Sequence, residues 1–153
     1  MISPADPPTS DPRTRFLPVP YRGAFSEPGA PFLFFHENSG KAGAHPVVYT
    51  RGDFLTLALK AAGVLKSLAI ERGIRFLNAF GANSPLDLAF RLGAALTGAT
   101  PVTLNWQADT PKRAAYKASL SKAGLILTDG LLDPAVIESV RAARPGIKTY
   151  EAG

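Results

Sequence analysis

Asn83-Ser-Pro-Leu-Asp-Leu-Ala-Phe-Arg-Leu-Gly-Ala-Ala-Leu-Thr-Gly-Ala-Thr-Pro-Val-Thr-Leu-Asn105 is the stretch that decides the fold of this 153-residue chain. Ser84 offers a side-chain oxygen to the unpaired N–H groups of a first helical turn, and Pro85 suits the first helical position. Asp87 adds negative charge at the positive end of the helix dipole. The helix opened here is predicted to run to about Thr97. It is apolar nearly all round apart from Asp87 and Arg91, so burial on more than one side is expected, with Leu92 among the packed positions. Gly98 stops the helix, and Pro101–Asn105 reads as the following strand.

The same alternation extends in both directions. Upstream, Thr50 and Asp53 form a capping-box variant, with Phe54, Ala58, Ala61, Leu65 and Leu68 on one helical face and a Gly cap expected near Arg72-Gly73. Phe76–Phe80 follows as a short strand. Downstream, Thr110-Pro111 starts a helix, Gly124–Thr128 is a strand, Asp133-Pro134 starts another helix ending near Arg144, and Lys148–Glu151 is a last strand. Capped helices alternating with short apolar strands describe βαβ units with right-handed crossovers. Ahead of them, Pro31–His36 and Pro46–Thr50 flank a polar stretch and read as an antiparallel hairpin. The expected class is α/β: an N-terminal antiparallel hairpin, then a mostly parallel sheet with helices on both faces. Residues 1–31 hold eight of the 14 prolines and read as an extended arm outside the core, leaving 32–153 as the α/β unit.

Composition narrows the chemistry. With no cysteine, thiol nucleophiles, redox pairs, iron–sulfur sites and Cys-ligated zinc are excluded. A chain of this length can bury a core without disulfides. The net charge of +5 is spread over separate elements with no Lys/Arg block, so nucleic acid is not an expected partner. No apolar run is long enough to span a bilayer, and the first thirty residues lack a secretory h-region, so a cytoplasmic location is expected.

A search for catalytic groups finds little. Asn38–Gly43 contains Gly40-Lys41, but Phe35 stands where a phosphate-binding loop needs its upstream Gly, and Ala42 follows the Lys where a hydroxyl is required. No Gly-x-Gly-x-x-Gly follows a strand; Gly93 and Gly98 read as positions of close helix–sheet packing. His36 and His45 lie in or beside the hairpin, far in sequence from Ser/Asp partners, and read as exposed turn residues. Asp53, Asp87 and Asp133 each fall at a helix start, where capping accounts for them. Lys112, Arg113, Lys117 and Lys122 give the third helix a basic, solvated face. Trp106, the only Trp, sits after a parallel strand, where it serves either as an apolar lid or as part of a ligand-binding loop. No catalytic, cofactor-binding or metal-ligating residue is assigned.

From Val48-Tyr-Thr50 to Asp129 the order and content of these segments resemble the N-terminal subdomain of the AMP-forming acyl-CoA synthetases, the adenylate-forming superfamily. The resemblance rests on Tyr49-Thr50, Ala61-Ala-Gly-Val64, Gly73-Ile-Arg-Phe76, Asn83-Ser-Pro85, Leu96–Asn105 and Ala123-Gly-Leu-Ile-Leu-Thr-Asp129. Two departures fall in turns: Ile74 where Asp is usual, and Gly81-Ala82 where Leu-Pro is common. The resemblance implies a reaction in which ATP activates a carboxylate to an acyl-adenylate and the acyl group passes to coenzyme A. It implies ATP, Mg and CoA for the full-length family enzyme. The family's Ser/Thr/Gly-rich phosphate loop ending in Pro-Lys, its later nucleotide motifs and its mobile C-terminal domain are not in this sequence. The chain is therefore expected to be a truncated scaffold portion, inactive alone, whose partner is the remainder of such an enzyme or a companion chain. The alternative is a catalytically silent α/β interaction module that docks through the basic third helix and the arm.

Overall fold

A computed structural model describes residues 19–36 and 45–152. The chain divides into two compact units, Met1–Leu55 and Thr56–Gly153.

In the first unit, helix α1 (Val19–Ser26) precedes strands β1 (Pro31–Phe35) and β2 (Val47–Thr50). The extended arm expected over residues 1–31 is corrected at α1. Its one proline, Pro20, occupies the first turn, where a missing N–H breaks no helical bond, and Tyr21–Ser26 contains no other. The rest of that arm up to residue 18 lies outside the described residues, as does Asn38–Gly43. Strands β1 and β2 pair antiparallel, with Phe34 opposite Val48 and Phe35 opposite Val47. Phe54 is buried and meets the rings of Phe32 and Tyr49 at centroid distances of 4.9 and 6.2 Å. Arg51 and Glu27 form an ion pair of 2.6 Å.

Helix α2 (Arg51–Ser67) opens on a reciprocal cap: the Thr50 N–H donates to Asp53 Oδ2 at 3.0 Å and the Asp53 N–H donates to Thr50 Oγ1 at 3.1 Å. The Thr50 hydroxyl also donates to Asp53 Oδ2 at 2.7 Å, and this bond, with that from the Thr50 N–H, holds the Asp53 carboxyl below its usual pKa. The helix ends earlier than its apolar spacing predicts. Ala69 takes the left-handed conformation at φ 58°, and the Ile70 N–H reaches back to the Leu65 carbonyl at 2.8 Å. Gly73, also left-handed at φ 80°, turns the chain into the next strand instead of capping the helix.

The second unit is built on four parallel strands in the order β4-β3-β5-β6. These are β3 (Arg75–Ala79), β4 (Thr100–Thr103), β5 (Leu125–Thr128) and β6 (Lys148–Glu151), joined by α3 (Pro85–Thr97), α4 (Pro111–Ser121) and α5 (Pro134–Ala143). Successive crossovers run outward from β3 to β4, back across to β5, and on to β6, so right-handed connections put α3 on one face and α4 with α5 on the other. The expected parallel sheet with helices on both faces is what the chain forms.

Each helix starts where its cap predicts. Ser84, Thr110 and Asp133 accept from the N–H groups of Leu86, Arg113 and Ala135, each with Pro in the first turn. On the α4/α5 face, Leu77, Ala79 and Ile126 pack with Ala114, Ala118, Val136 and Val140. Alternation along the strands sends Phe76, Asn78, Leu125 and Leu127 to the α3 face, and all four are buried.

Helix α3 buries Ala89, Phe90, Gly93 and Ala94, whereas Leu92 is only half-buried. Burial on one principal stripe thus replaces the expected burial nearly all round. Gly93 faces α2 and not the sheet: a Cβ there would lie 2.8 Å from the Ala62 nitrogen and 3.0 Å from the Ala58 carbonyl oxygen. Gly98 is the left-handed cap, with φ 75° and its N–H on the Ala94 carbonyl.

Candidate functional site

A crevice of about 210 Å³ opens at the carboxyl ends of β3 and β4, lined among others by Phe80, Asn83, Asp87, Arg91, Thr103 and Trp106. The topology places it there. Loops leaving β3 and β4 depart toward opposite faces of the sheet, and such divergence opens the gap in which α/β proteins bind ligands.

One wall is a chain of polar contacts. Asn78, buried on β3, donates through Nδ2 to the Asp87 carboxylate in the first turn of α3. Asp87 Oδ1 also takes Arg91 Nε at 3.0 Å and Nη2 at 2.9 Å, and Arg91 Nη1 donates to Thr103 Oγ1 at 2.6 Å. Sequence reasoning gave Asp87 only a capping role. Its position three residues into α3 also aims it at the strand ends, where it ties β3 to β4 through Arg91. Both charged groups of the crevice are thus engaged with protein partners.

The opposite rim is the β4–α4 loop, pinned by Asp109, whose side chain is only 2% exposed. Its Oδ2 accepts the Asn105 N–H at 2.7 Å and Lys117 Nζ at 2.5 Å, and its Oδ1 meets Arg113 Nε at 3.0 Å. Lys117 also donates to the Thr103 carbonyl at 2.9 Å. The expectation of a merely solvated basic face is therefore corrected for Arg113 and Lys117, which serve an internal carboxylate. Lys112 and Lys122 remain exposed. Sequence reasoning passed over Asp109 because it precedes the helix start. The signal was the spacing Asp109, Arg113, Lys117, which stacks three charges on one helical face. Trp106 stands at the rim, 44% exposed, held by a loop that closes on itself through the Asp109 N–H and the Asn105 carbonyl at 2.8 Å.

The loops after β3 and β5 also meet. The Gly81 N–H donates to Asp129 Oδ1 at 2.9 Å, and the same oxygen accepts the Leu131 N–H at 3.1 Å. His36 and His45 are exposed in the first unit. Among the described residues no group of three or more His, Cys, Asp or Glu could hold a metal ion, and no helix is long and apolar enough to cross a membrane.

Burial works against the charge of Asp109, but the hydrogen bonds from Lys117 and the Asn105 N–H and the charges of Lys117 and Arg113 outweigh it, so its carboxyl lies below the usual range. A carboxyl whose folded pKa is depressed stabilises the fold above the unfolded value of about 3.9, and that stabilisation is lost as pH falls below it. Trp106 fluorescence is expected to stay constant from neutral pH to about 5 and to change as pH drops below about 4. Asp109→Asn is expected to lack this acid step; an unchanged profile in that variant would place the transition elsewhere.

No protein-family profile and no curated protein matches this chain. Solved structures do. The N-terminal domain of FACL13 from Mycobacterium tuberculosis is 25% identical, with a TM-score of 0.70 over 87% of this chain and 32% of that one. A fatty acyl CoA synthetase from the same organism is 23% identical, with a TM-score of 0.73 over 93% of this chain and 27% of that one. O-succinylbenzoate coenzyme A synthetase from Bacillus subtilis, in complex with AMP, is 16% identical at a TM-score of 0.68, over 86% of this chain and 30% of that one. The fold is that of the N-terminal subdomain of the AMP-forming acyl-CoA synthetases. The chain spans about a third of the length of the FACL13 structure. Within this fold, Asn83–Asn105 supplies the Ser84 cap, α3 and the edge strand β4.

Proposed function

We propose that this chain is the N-terminal scaffold portion of an AMP-forming acid–thiol ligase of the acyl-CoA synthetase type. Such an enzyme joins a carboxylate to ATP as an acyl-adenylate and then transfers the acyl group to CoA. The observation that carries this reading is the parallel β4-β3-β5-β6 sheet with its helices, in a fold matched over 87% of the chain by the N-terminal domain of FACL13 and over 93% by a fatty acyl CoA synthetase.

In this reading ATP, Mg and CoA are held by other parts of the full-length enzyme. Asp87 and Arg91 are paired with each other, Asp109 is closed by its cations, and no metal-ligand cluster accompanies them. Stabilising a pyrophosphate leaving group requires free cations or a nest of N–H donors. No catalytic step is therefore assigned to these residues. Their work is to hold the ends of β3 and β4 and the Trp106 loop in fixed geometry, as one wall of a larger site. A cytoplasmic setting suits ATP- and CoA-dependent chemistry.

Two measurements test this. The purified chain, supplied with Mg-ATP and a panel of fatty and aryl acids, is expected to release no pyrophosphate; acid-dependent release would overturn the scaffold role. Sequencing the coding DNA beyond Gly153, or its genomic neighbourhood, is expected to find a Ser/Thr/Gly-rich loop ending in Pro-Lys, either in the same frame or in a companion chain. Its absence from both would remove the ligase reading.

A further inference from the structure

Asp129-Gly130, in the loop after β5, is the one place in the sequence where an Asp or Asn is followed by Gly. The pair carries a chemistry that none of the roles above uses. With no Cβ in the way, a glycine nitrogen can reach the side-chain carboxyl of the residue before it. The nitrogen bonds to Cγ of the carboxylic acid, the nitrogen's proton and the carboxyl OH leave as water, and a five-membered imide closes. Solvent water then adds to the main-chain carbonyl carbon, and the bond from that carbon to nitrogen breaks. The chain now runs through Cβ and Cγ as isoaspartate, with a free α-carboxylate, unchanged mass and an extra methylene in the backbone.

The fold holds both reacting groups. Asp129 Oδ1 accepts the Gly81 N–H at 2.9 Å and the Leu131 N–H at 3.1 Å, and the Gly130 N–H donates to Thr128 Oγ1 at 3.1 Å. Thr128 is itself buried at the end of β5. Ring closure has to break these bonds: the carboxyl must swing its carbon onto the Gly130 nitrogen, and that nitrogen must give up the proton now held by the Thr128 hydroxyl. The same geometry requires the hazardous pair. Gly130 is left-handed at φ 75°, a conformation other residues adopt only with strain, and the Asp129 carboxylate is what ties the loop after β5 to the loop after β3.

We propose that Asp129-Gly130 is a site of spontaneous aspartate isomerisation that the fold keeps shut, and that isoaspartate at 129 forms when the loop after β5 opens locally. Loops open at lower cost than the whole domain unfolds, so such openings precede global unfolding. Once isoaspartate forms, the longer backbone carries the carboxylate away from the Gly81 and Leu131 N–H groups, and the loop no longer closes as before. The lesion thus outlasts the opening that produced it. This inference uses contacts inside the second unit and does not rest on the ligase reading.

Peptide mapping of the full chain, with electron-transfer fragmentation to separate aspartate from isoaspartate, tests it. The chain is incubated at neutral pH, either folded or unfolded in guanidinium chloride, and isoaspartate at 129 is followed with time. The unfolded chain is expected to accumulate it at least about tenfold faster than the folded one. Thr128→Val, which removes the hydroxyl that holds the Gly130 N–H, is expected to raise the rate in the folded state. So is Gly81→Ala, whose Cβ would collide with the Leu131 carbonyl and the Leu132 nitrogen and push the loop away. A folded chain that isomerises as fast as the unfolded one, an unfolded chain that does not isomerise at 129, or folded variants that keep the wild-type rate would each overturn the proposal. If neither variant folds, the wild-type chain in a denaturant series decides. Its rate at 129 is expected to climb ahead of the global transition followed by far-UV circular dichroism; a rate that rises only with that transition overturns the proposal.

Discussion

Gly81→Ala is expected to destabilise the second unit by about 3 kcal/mol or more, seen as a fall in Tm of roughly 10 °C. A Cβ at Gly81 would come within 3.0 Å of the Leu131 carbonyl group and the Leu132 nitrogen. Both are backbone, so no side-chain rotation relieves the contact. The loop after β5 would have to withdraw, taking with it the Asp129 carboxylate that accepts from both the Gly81 and Leu131 N–H groups. Gly63→Ala supplies a control of opposite sign. Gly63 is exposed inside α2 with nothing within 4 Å of the added methyl, and replacing a helical glycine by alanine stabilises by about 0.5–1 kcal/mol. Equal melting temperatures for the two variants would remove the loop contact as a stabilising feature.

Asp109→Ala is expected to cost about 2–3 kcal/mol, below the roughly 3–5 kcal/mol seen when one member of a fully buried pair is removed. The discount reflects its partners: Asp109 is enclosed, but the Lys117 side chain is 26% and that of Arg113 64% exposed, so water takes over part of their solvation. The lost hydrogen bond to the Asn105 N–H loosens the start of the loop, and Trp106 is expected to report this as a red-shifted emission. Lys117→Met keeps the aliphatic packing, removes the cation and frees the Thr103 carbonyl. It should shift the emission in the same direction, and the double variant should cost less than the sum of the two single changes. Strict additivity would mean that Asp109 and Lys117 act independently, contrary to their 2.5 Å contact.

The framework of elements was legible because its signals are local. Ser84-Pro85, Thr110-Pro111 and Asp133-Pro134 each announce a helix through the side chain that closes its first turn, and the residues between those starts alternate as strands must. The end of α2 was not legible, because the stop is Ala69 in a conformation that glycine usually supplies, while the glycine that looked like the stop, Gly73, serves a turn. Helix α1 was hidden by proline content, which says where a helix cannot continue but not that one cannot begin.

The crevice was legible only in outline. Asp87 was found but given one role, because capping is visible in sequence and a bond to Asn78 on another strand is not. Asp109 was overlooked since its partners follow in the next helix. In sequence, Gly81 reads as a harmless turn residue; only the folded chain shows backbone from another loop lying against it.

The order β4-β3-β5-β6 also constrains how the chain reaches this fold. The two central strands, aligned with Leu77 beside Ile126, are separated in sequence by the whole of α3, β4 and α4. Their pairing cannot repay its loop-closure entropy until that intervening stretch has become compact. Assembly thus begins most economically with β3, α3 and β4, the neighbours in sequence, and the buried strip of Leu125, Ile126 and Leu127 docks afterwards. Until it does, the edge of β3 that β5 will occupy stays open, and an open edge of this kind is a template for aggregation.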